Sequence, residues 1–323
     1  MPGPGKWFGL VEGNLRQLCL LLKEENAVSP EAYDRMPLIF FLIFEGFLLF
    51  FSPWTILSDE YWQLLPSLPL FFHPASSLLL LHSQPPLLNV LYFGVLFSHF
   101  QLGIPGTLVA TLLFMGISLG SLYVYYHLGV LVFSSRRLAL LPVVFLLLHP
   151  SFAHFQRVFF YPHLLFFQTG LLVLLVGRWA CNPSIRRFLA VAACYGLMAY
   201  TRSLWHPLLG AILIFVLPLL MTTLRQNKPL LLRHIVAGLV LLGGLVAPWL
   251  LKNQVLYNTP SFSSWLGYNL GGKRTREFIN EKQLPQDAME LARAYYSLWQ
   301  LDILSCHSAT NLLHKDFPAD KNT

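Results

Sequence analysis

The sequence predicts an all-α fold, a polytopic transmembrane helical bundle of about seven spans, and three observations predict it. Hydrophobic residues make up 55% of the chain and charged residues 11%, against roughly 25% charged in a soluble domain. Mean hydropathy is +0.56. Apolar runs at 37–51, 107–133 and 234–251 reach or approach the roughly 20 residues needed to cross a bilayer. A soluble core can hold one such helix, not a succession of them.

Residues 1–36 are mixed in charge, with Lys23-Glu24-Glu25 and a further cluster from Glu31 to Arg35, and are expected to be a cytoplasmic segment. Because a long polar stretch precedes the first apolar run, a cleavable signal peptide is not expected. The transmembrane module is expected over 37–251, with its first span at 37–56. From Ser52 to Pro105 the chain has no Lys or Arg, and Pro53, Pro66, Pro69, Pro74, Pro85, Pro86 and Pro105 punctuate it into short pieces. Residues 58–105 are expected to form an extended first external loop containing interfacial helices. The apolar stretch 87–100 is one of these rather than a span.

Loop charge decides that assignment. Further spans are expected at 107–133, 138–154, 164–178, 188–200, 207–224 and 235–250. One side of the membrane then receives Arg136, Arg137, Arg178, Arg186, Arg187, Arg225, Lys228 and Arg233, and the other only Arg157 and Arg202. Cytoplasmic loops carry the excess of basic residues, so the N-terminus and those eight are cytoplasmic. Had 87–100 crossed, Arg136 and Arg137 would be translocated. The same loops explain the net charge of +7 without nucleic acid. Residues 252–323 form an external tail with eight basic and seven acidic side chains and an amphipathic stretch at 280–299. Cys19, Cys181, Cys194 and Cys306 show no metal-type spacing.

Acidic residues are scarce enough to single out. Between Met36 and Leu250 only Glu45, Asp59 and Glu60 occur. Asp59 and Glu60 stand together just outside the first span, where partial desolvation lifts a carboxylate towards the working range of a general base. A solvated pair capping the next short helix is the alternative. Glu45 sits mid-span, where a carboxylate is costly and as a rule faces the bundle interior; it receives no role. Arg157 and Arg202 break the charge rule on the side of the acidic pair. Their planar forks suit phosphate oxygens, while anchoring to lipid headgroups is the plainer reading. His82 and Gln84 precede Pro85-Pro86, a rigid extended turn. Tyr161 and His163 flank Pro162, and His206 follows Trp205, at the same membrane face. Taken singly, each histidine also fits a structural role.

The order of these pieces resembles the GT-C superfamily of membrane glycosyltransferases, in particular the branch of protein O-mannosyltransferases and the lipid A aminoarabinose transferase. The matching pieces are Ser58 with Asp59, Glu60, Tyr61 and Trp62; His82 to Leu87; Arg136-Arg137; Gln156-Arg157; Tyr200-Thr201-Arg202; and Pro248 to Asn253, with Ser264-Trp265-Leu266-Gly267 beyond. The resemblance implies an integral-membrane inverting enzyme that moves a sugar from a polyprenyl- or dolichyl-phosphate carrier to an acceptor lipid, glycan or protein on the extracytoplasmic side. It makes Asp59 the base with Glu60 beside it, and has Arg157 and Arg202 hold the carrier phosphate. It admits a divalent metal ion, and it places the chain in a bacterial inner membrane or the endoplasmic reticulum membrane. Two departures matter. The 160–163 loop has no second carboxylate, and the chain lacks the further spans and carboxy-terminal domain of many members. A truncated or minimal enzyme, a non-catalytic assembly subunit and a lipid or solute transporter are therefore the expectations to separate.

Overall fold

The computed structural model describes residues 30–51, 64–65, 67–81, 85–133 and 135–257. Every element among them is helical and no strand is present. Three helices are long and apolar enough to cross a bilayer: Gly106–Phe133, Tyr161–Cys181 and Lys228–Leu256. Their outward faces stay rich in exposed large apolar side chains, such as Leu112, Val173 and Val240, a surface suited to lipid rather than water.

The described residues fall into two compact units. The first comprises 30–51, 110–198 and 205–247. It begins with α1 (Pro30–Phe51), which buries Phe41 and Glu45 one turn apart while Leu42, Ile43 and Phe47 stay exposed. The shorter helices α2 (Ser67–Phe72), α3 (Pro74–Leu80) and α4 (Leu87–Leu102) belong to the second unit. Next comes α5 (Gly106–Phe133), whose buried positions include Phe114, Ser118, Ser121 and Leu122, one helical face at spacings of three and four. The hydroxyls of Ser118 and Ser121 donate to the carbonyls of Phe114 and Ile117 at 2.9 and 2.8 Å, so these polar groups are satisfied where they are buried. After a turn at 136–139 the chain enters α6 (Leu140–Leu148) and α7 (Pro150–Gln156). Phe41, Leu122, Tyr126, Val143, Leu147 and Phe152 join α1, α5, α6 and α7 in one apolar core.

Here the structure corrects the expected span at 138–154. His149 is extended (φ −80, ψ 119) because the residue before a proline avoids the helical region, and Pro150 restarts the chain as α7. Nine residues in α6 rise only about 14 Å, too short to cross alone. The expected span at 207–224 is likewise split, into α10 (Pro207–Leu220) and α11 (Thr222–Gln226), by an extended Met221 (ψ 114). Between them lie α8 (Tyr161–Cys181) and α9 (Ile185–Thr201). The last helix, α12 (Lys228–Tyr257), continues six residues past the expected end of the transmembrane module at 251.

At one end of this unit Arg136 Nη1 meets Asp34 Oδ1 at 3.0 Å, Tyr126 Oη donates to the same oxygen at 3.2 Å, and Arg137 Nε donates to Tyr33 Oη at 2.7 Å. The double arginine thus ties the start of α1 to the turn after α5. Close approach matters at Gly129, where an added Cβ would lie 2.8 Å from the Ala139 Cα. That neighbour is backbone and cannot rotate aside. Gly129→Ala should therefore lower stability by about 1–3 kcal/mol, read as a reduced Tm in detergent, whereas Gly116→Ala, with nothing within 4 Å, should leave it unchanged or slightly raised.

The second unit comprises 64–65, 67–81, 85–109, 199–204 and 248–257. Helices α2, α3 and α4 pack on one another. Asn89 of α4 is fully buried and accepts from Leu65 N at 2.7 Å, and the Phe71 and Phe100 rings lie 4.8 Å apart. Gly103 ends α4 in the left-handed conformation (φ 68) that glycine adopts freely. The stretch read as interfacial, 87–100, is thus one 16-residue helix.

Candidate functional site

Within the first unit a polar group is embedded among apolar helices. Glu45 on α1 is 4% exposed and Gln156, at the end of α7, is 6% exposed. Gln156 Nε2 donates to Glu45 Oε1 at 2.6 Å. The next residue, Arg157, acts electrostatically on Glu45, and its Nη2 is buried without a hydrogen-bond partner among the described residues, as is Gln156 Oε1. A buried carboxylate left alone would be severely destabilising; here it has an amide donor and a nearby guanidinium. What remains unpartnered is the Arg157 Nη2 group and the Gln156 Oε1 acceptor, whose chemistry suits a phosphate oxygen and a hydroxyl respectively.

The chain then turns into α8 through Phe160, whose extended backbone (φ −145, ψ 146) precedes Tyr161 and Pro162 at the helix start. Tyr161 is buried, with its ring 4.3 Å from that of Phe160. His163 is 2% exposed, its Nε2 lies 2.7 Å from Ser118 Oγ, and its ring stacks on Phe114 at 6.1 Å. Beside it a cavity of about 360 Å³ is lined by Phe145, His149, Ser151, Phe152, His163 and Phe166 among others.

His206 has a structural task. It is the N-cap of α10, its Nδ1 accepts from Leu208 N at 3.2 Å, and its carbonyl accepts from Tyr195 Oη at 3.1 Å. His149 does the same for α7, accepting from Ser151 N at 3.3 Å. Each histidine precedes a proline at the first helical position, where the missing N–H costs nothing.

In the second unit two of the sequence motifs meet. Tyr200, from Tyr200-Thr201-Arg202, packs edge-on to Trp249, from Pro248 to Asn253, with centroids 6.1 Å apart. Thr201 is buried and Arg202 is exposed. Lys252 lies 3.5 Å above the Trp249 ring and donates from Nζ to the carbonyl of Leu81, the residue that precedes His82 in the sequence. Asp59, Glu60, His82 and Gln84 lie outside the described residues. Among the described residues no group of three His, Cys, Asp or Glu side chains could hold a metal ion.

Sequence reasoning gave no role to Glu45 or Lys252. For Glu45 the signal was present, a single carboxylate inside an apolar helix, but its partner is 111 residues away. Lys252 counted only as part of the Pro248 to Asn253 piece. The fold and composition define a helical membrane protein. No family model, no curated protein and no solved structure matches the chain.

Proposed function

We propose that the protein is an integral-membrane inverting glycosyltransferase of the GT-C type, transferring a sugar from a polyprenyl- or dolichyl-phosphate carrier to an extracytoplasmic acceptor. The observation that supports it best is the buried, unpartnered Nη2 of Arg157 beside Glu45, a charged donor set to receive an anionic oxygen. Asp59 is the general base in this reading, Glu60 its neighbour, and Arg202 a second phosphate ligand. Incubating membranes containing the chain with radiolabelled polyprenyl- or dolichyl-phosphate mannose and glucose tests it. Transfer of label above membranes lacking the chain is the expected result; none from any donor overturns it.

The proposed topology is multi-pass with seven crossings, two of them the broken pairs α6–α7 and α10–α11, and a cytoplasmic N-terminus. The Arg136–Asp34 contact supports it, because the start of α1 and the end of α5 then share a face, as they do if α4 does not cross. Single cysteines introduced as Ser83→Cys and Ser184→Cys should label from opposite sides with a membrane-impermeant maleimide. Reaction of both from one side would sink the arrangement.

The break at His149–Pro150 favours a second reading, a lipid or solute transporter, since broken helices line transport pathways. Such a protein would give no labelled product in the transfer assay but would move substrate across sealed vesicles.

A further inference from the structure

The cavity against α7 and α8 has a chemistry that phosphate binding does not use. Its walls include Phe145, Phe152, Phe155 and Phe166, its polar groups are His149, Ser151 and His163, and no Lys, Arg, Asp or Glu lines it. An anion buried there would lack a counter-charge.

The ring nitrogens set what the imidazoles offer. Ser118 Oγ lies 2.9 Å from the Phe114 carbonyl and 2.7 Å from His163 Nε2, so that ring nitrogen is engaged. His163 Nδ1 has no hydrogen-bond partner among the described residues and acts as acceptor or donor according to the tautomer. In His149, Nδ1 accepts from Ser151 N, so its proton sits on Nε2 as a donor. Two imidazoles on a phenylalanine wall match a hydroxyl group, which both gives and takes a hydrogen bond and so suits either tautomer of His163. At roughly 30 Å³ for each water-sized group, the cavity holds about twelve such groups beside that hydroxyl.

We propose that this cavity binds a neutral aliphatic alcohol, its hydroxyl hydrogen-bonded to His163 Nδ1 and its chain of about ten to twelve carbons lying against the phenylalanines. The site goes beyond sugar transfer, since it needs neither the acidic pair nor a phosphate-linked donor.

The test uses the full chain in phosphatidylcholine nanodiscs and a ten-carbon primary alcohol carrying a diazirine in its chain. Photolysis should label peptides within 140–181. Decan-1-ol should displace the probe at a three- to ten-fold lower membrane concentration than decane or decyl phosphate, the difference one hydrogen bond makes. His163→Gln keeps a hydrogen-bonding group for Ser118 but loses the second ring nitrogen, and should reduce labelling by about three- to ten-fold at unchanged elution in gel filtration. Equal displacement by the alcohol, the alkane and the phosphate overturns the proposal, as does labelling confined to other helices. That competition in the unsubstituted protein depends on no variant folding.

Discussion

Asp59→Asn is expected to lower sugar transfer by about 10² or more, the usual share of a positioned general base, while donor binding and expression are retained. The amide keeps the shape and much of the hydrogen bonding of the carboxyl but cannot take a proton from the acceptor hydroxyl. The loss should therefore fall on kcat. Glu60→Gln should cost less, since the neighbour shapes the local field without receiving the proton. Asp59 is one of only three acidic residues between Met36 and Leu250, so few other carboxylates of that stretch can substitute. Turnover like that of the unsubstituted chain in the Asp59 variant would remove the assigned base, and with it the central chemical claim.

Arg157→Ala carries the second large effect, and it acts in two ways. A charge-assisted contact to the carrier phosphate contributes roughly 1.5–3 kcal/mol net, so its loss should raise the apparent Km for the lipid donor by about ten- to a hundred-fold, at 1.4 kcal/mol per factor of ten. The same truncation takes the guanidinium away from Glu45, which stays buried with only Gln156. Taking a favourable neighbouring charge away from a buried carboxyl is destabilising, so the variant should also melt earlier. Glu45→Gln removes the stranded charge, and the double variant Glu45→Gln, Arg157→Ala should regain stability without regaining donor affinity. Arg202→Ala, at an exposed position, should raise the donor Km with little change in Tm. Lys at either position keeps the charge and loses the fork, and should give an intermediate Km. If both alanine variants leave the donor Km unchanged, the two arginines are interfacial anchors.

The membrane-length helices were legible because each is an unbroken apolar run. The expected spans at 107–133, 164–178 and 235–250 lie within α5, α8 and α12, and only their ends shift. The two broken elements were misread for one physical reason. Hydropathy averages over a window and passes through His149-Pro150 and Met221 without notice; at His149 the residue before a proline is steered away from the helix, whereas Met221 precedes Thr222 and carries no such mark. The His-Pro order was the overlooked sign. It starts α3 at His73-Pro74, α7 at His149-Pro150 and α10 at His206-Pro207, and it gives His206 a capping task that its place beside Trp205 did not announce. The site was legible as residue types at a membrane face, not as partners. Glu45 with Gln156, Asp34 with Arg136 and Lys252 with Leu81 are 111, 102 and 171 residues apart, and no local pattern carries information over such separations.

The interruption at His149 also constrains how the protein is made. Between α5 and α8 the nascent chain offers the insertion machinery no helix long enough to cross. On the proposed topology the backbone groups around the break need protein, not lipid, as their surroundings. The pair α6–α7 therefore cannot partition into the bilayer as a free-standing unit; it settles once α8 has arrived to cover it. At roughly 5–20 residues per second, the delay between synthesis of α7 and completion of α8 is about one to five seconds. During that interval a half-built segment is exposed to chaperones and membrane proteases, so codon-level changes in translation speed between residues 156 and 181 should alter the yield of inserted protein without altering its sequence.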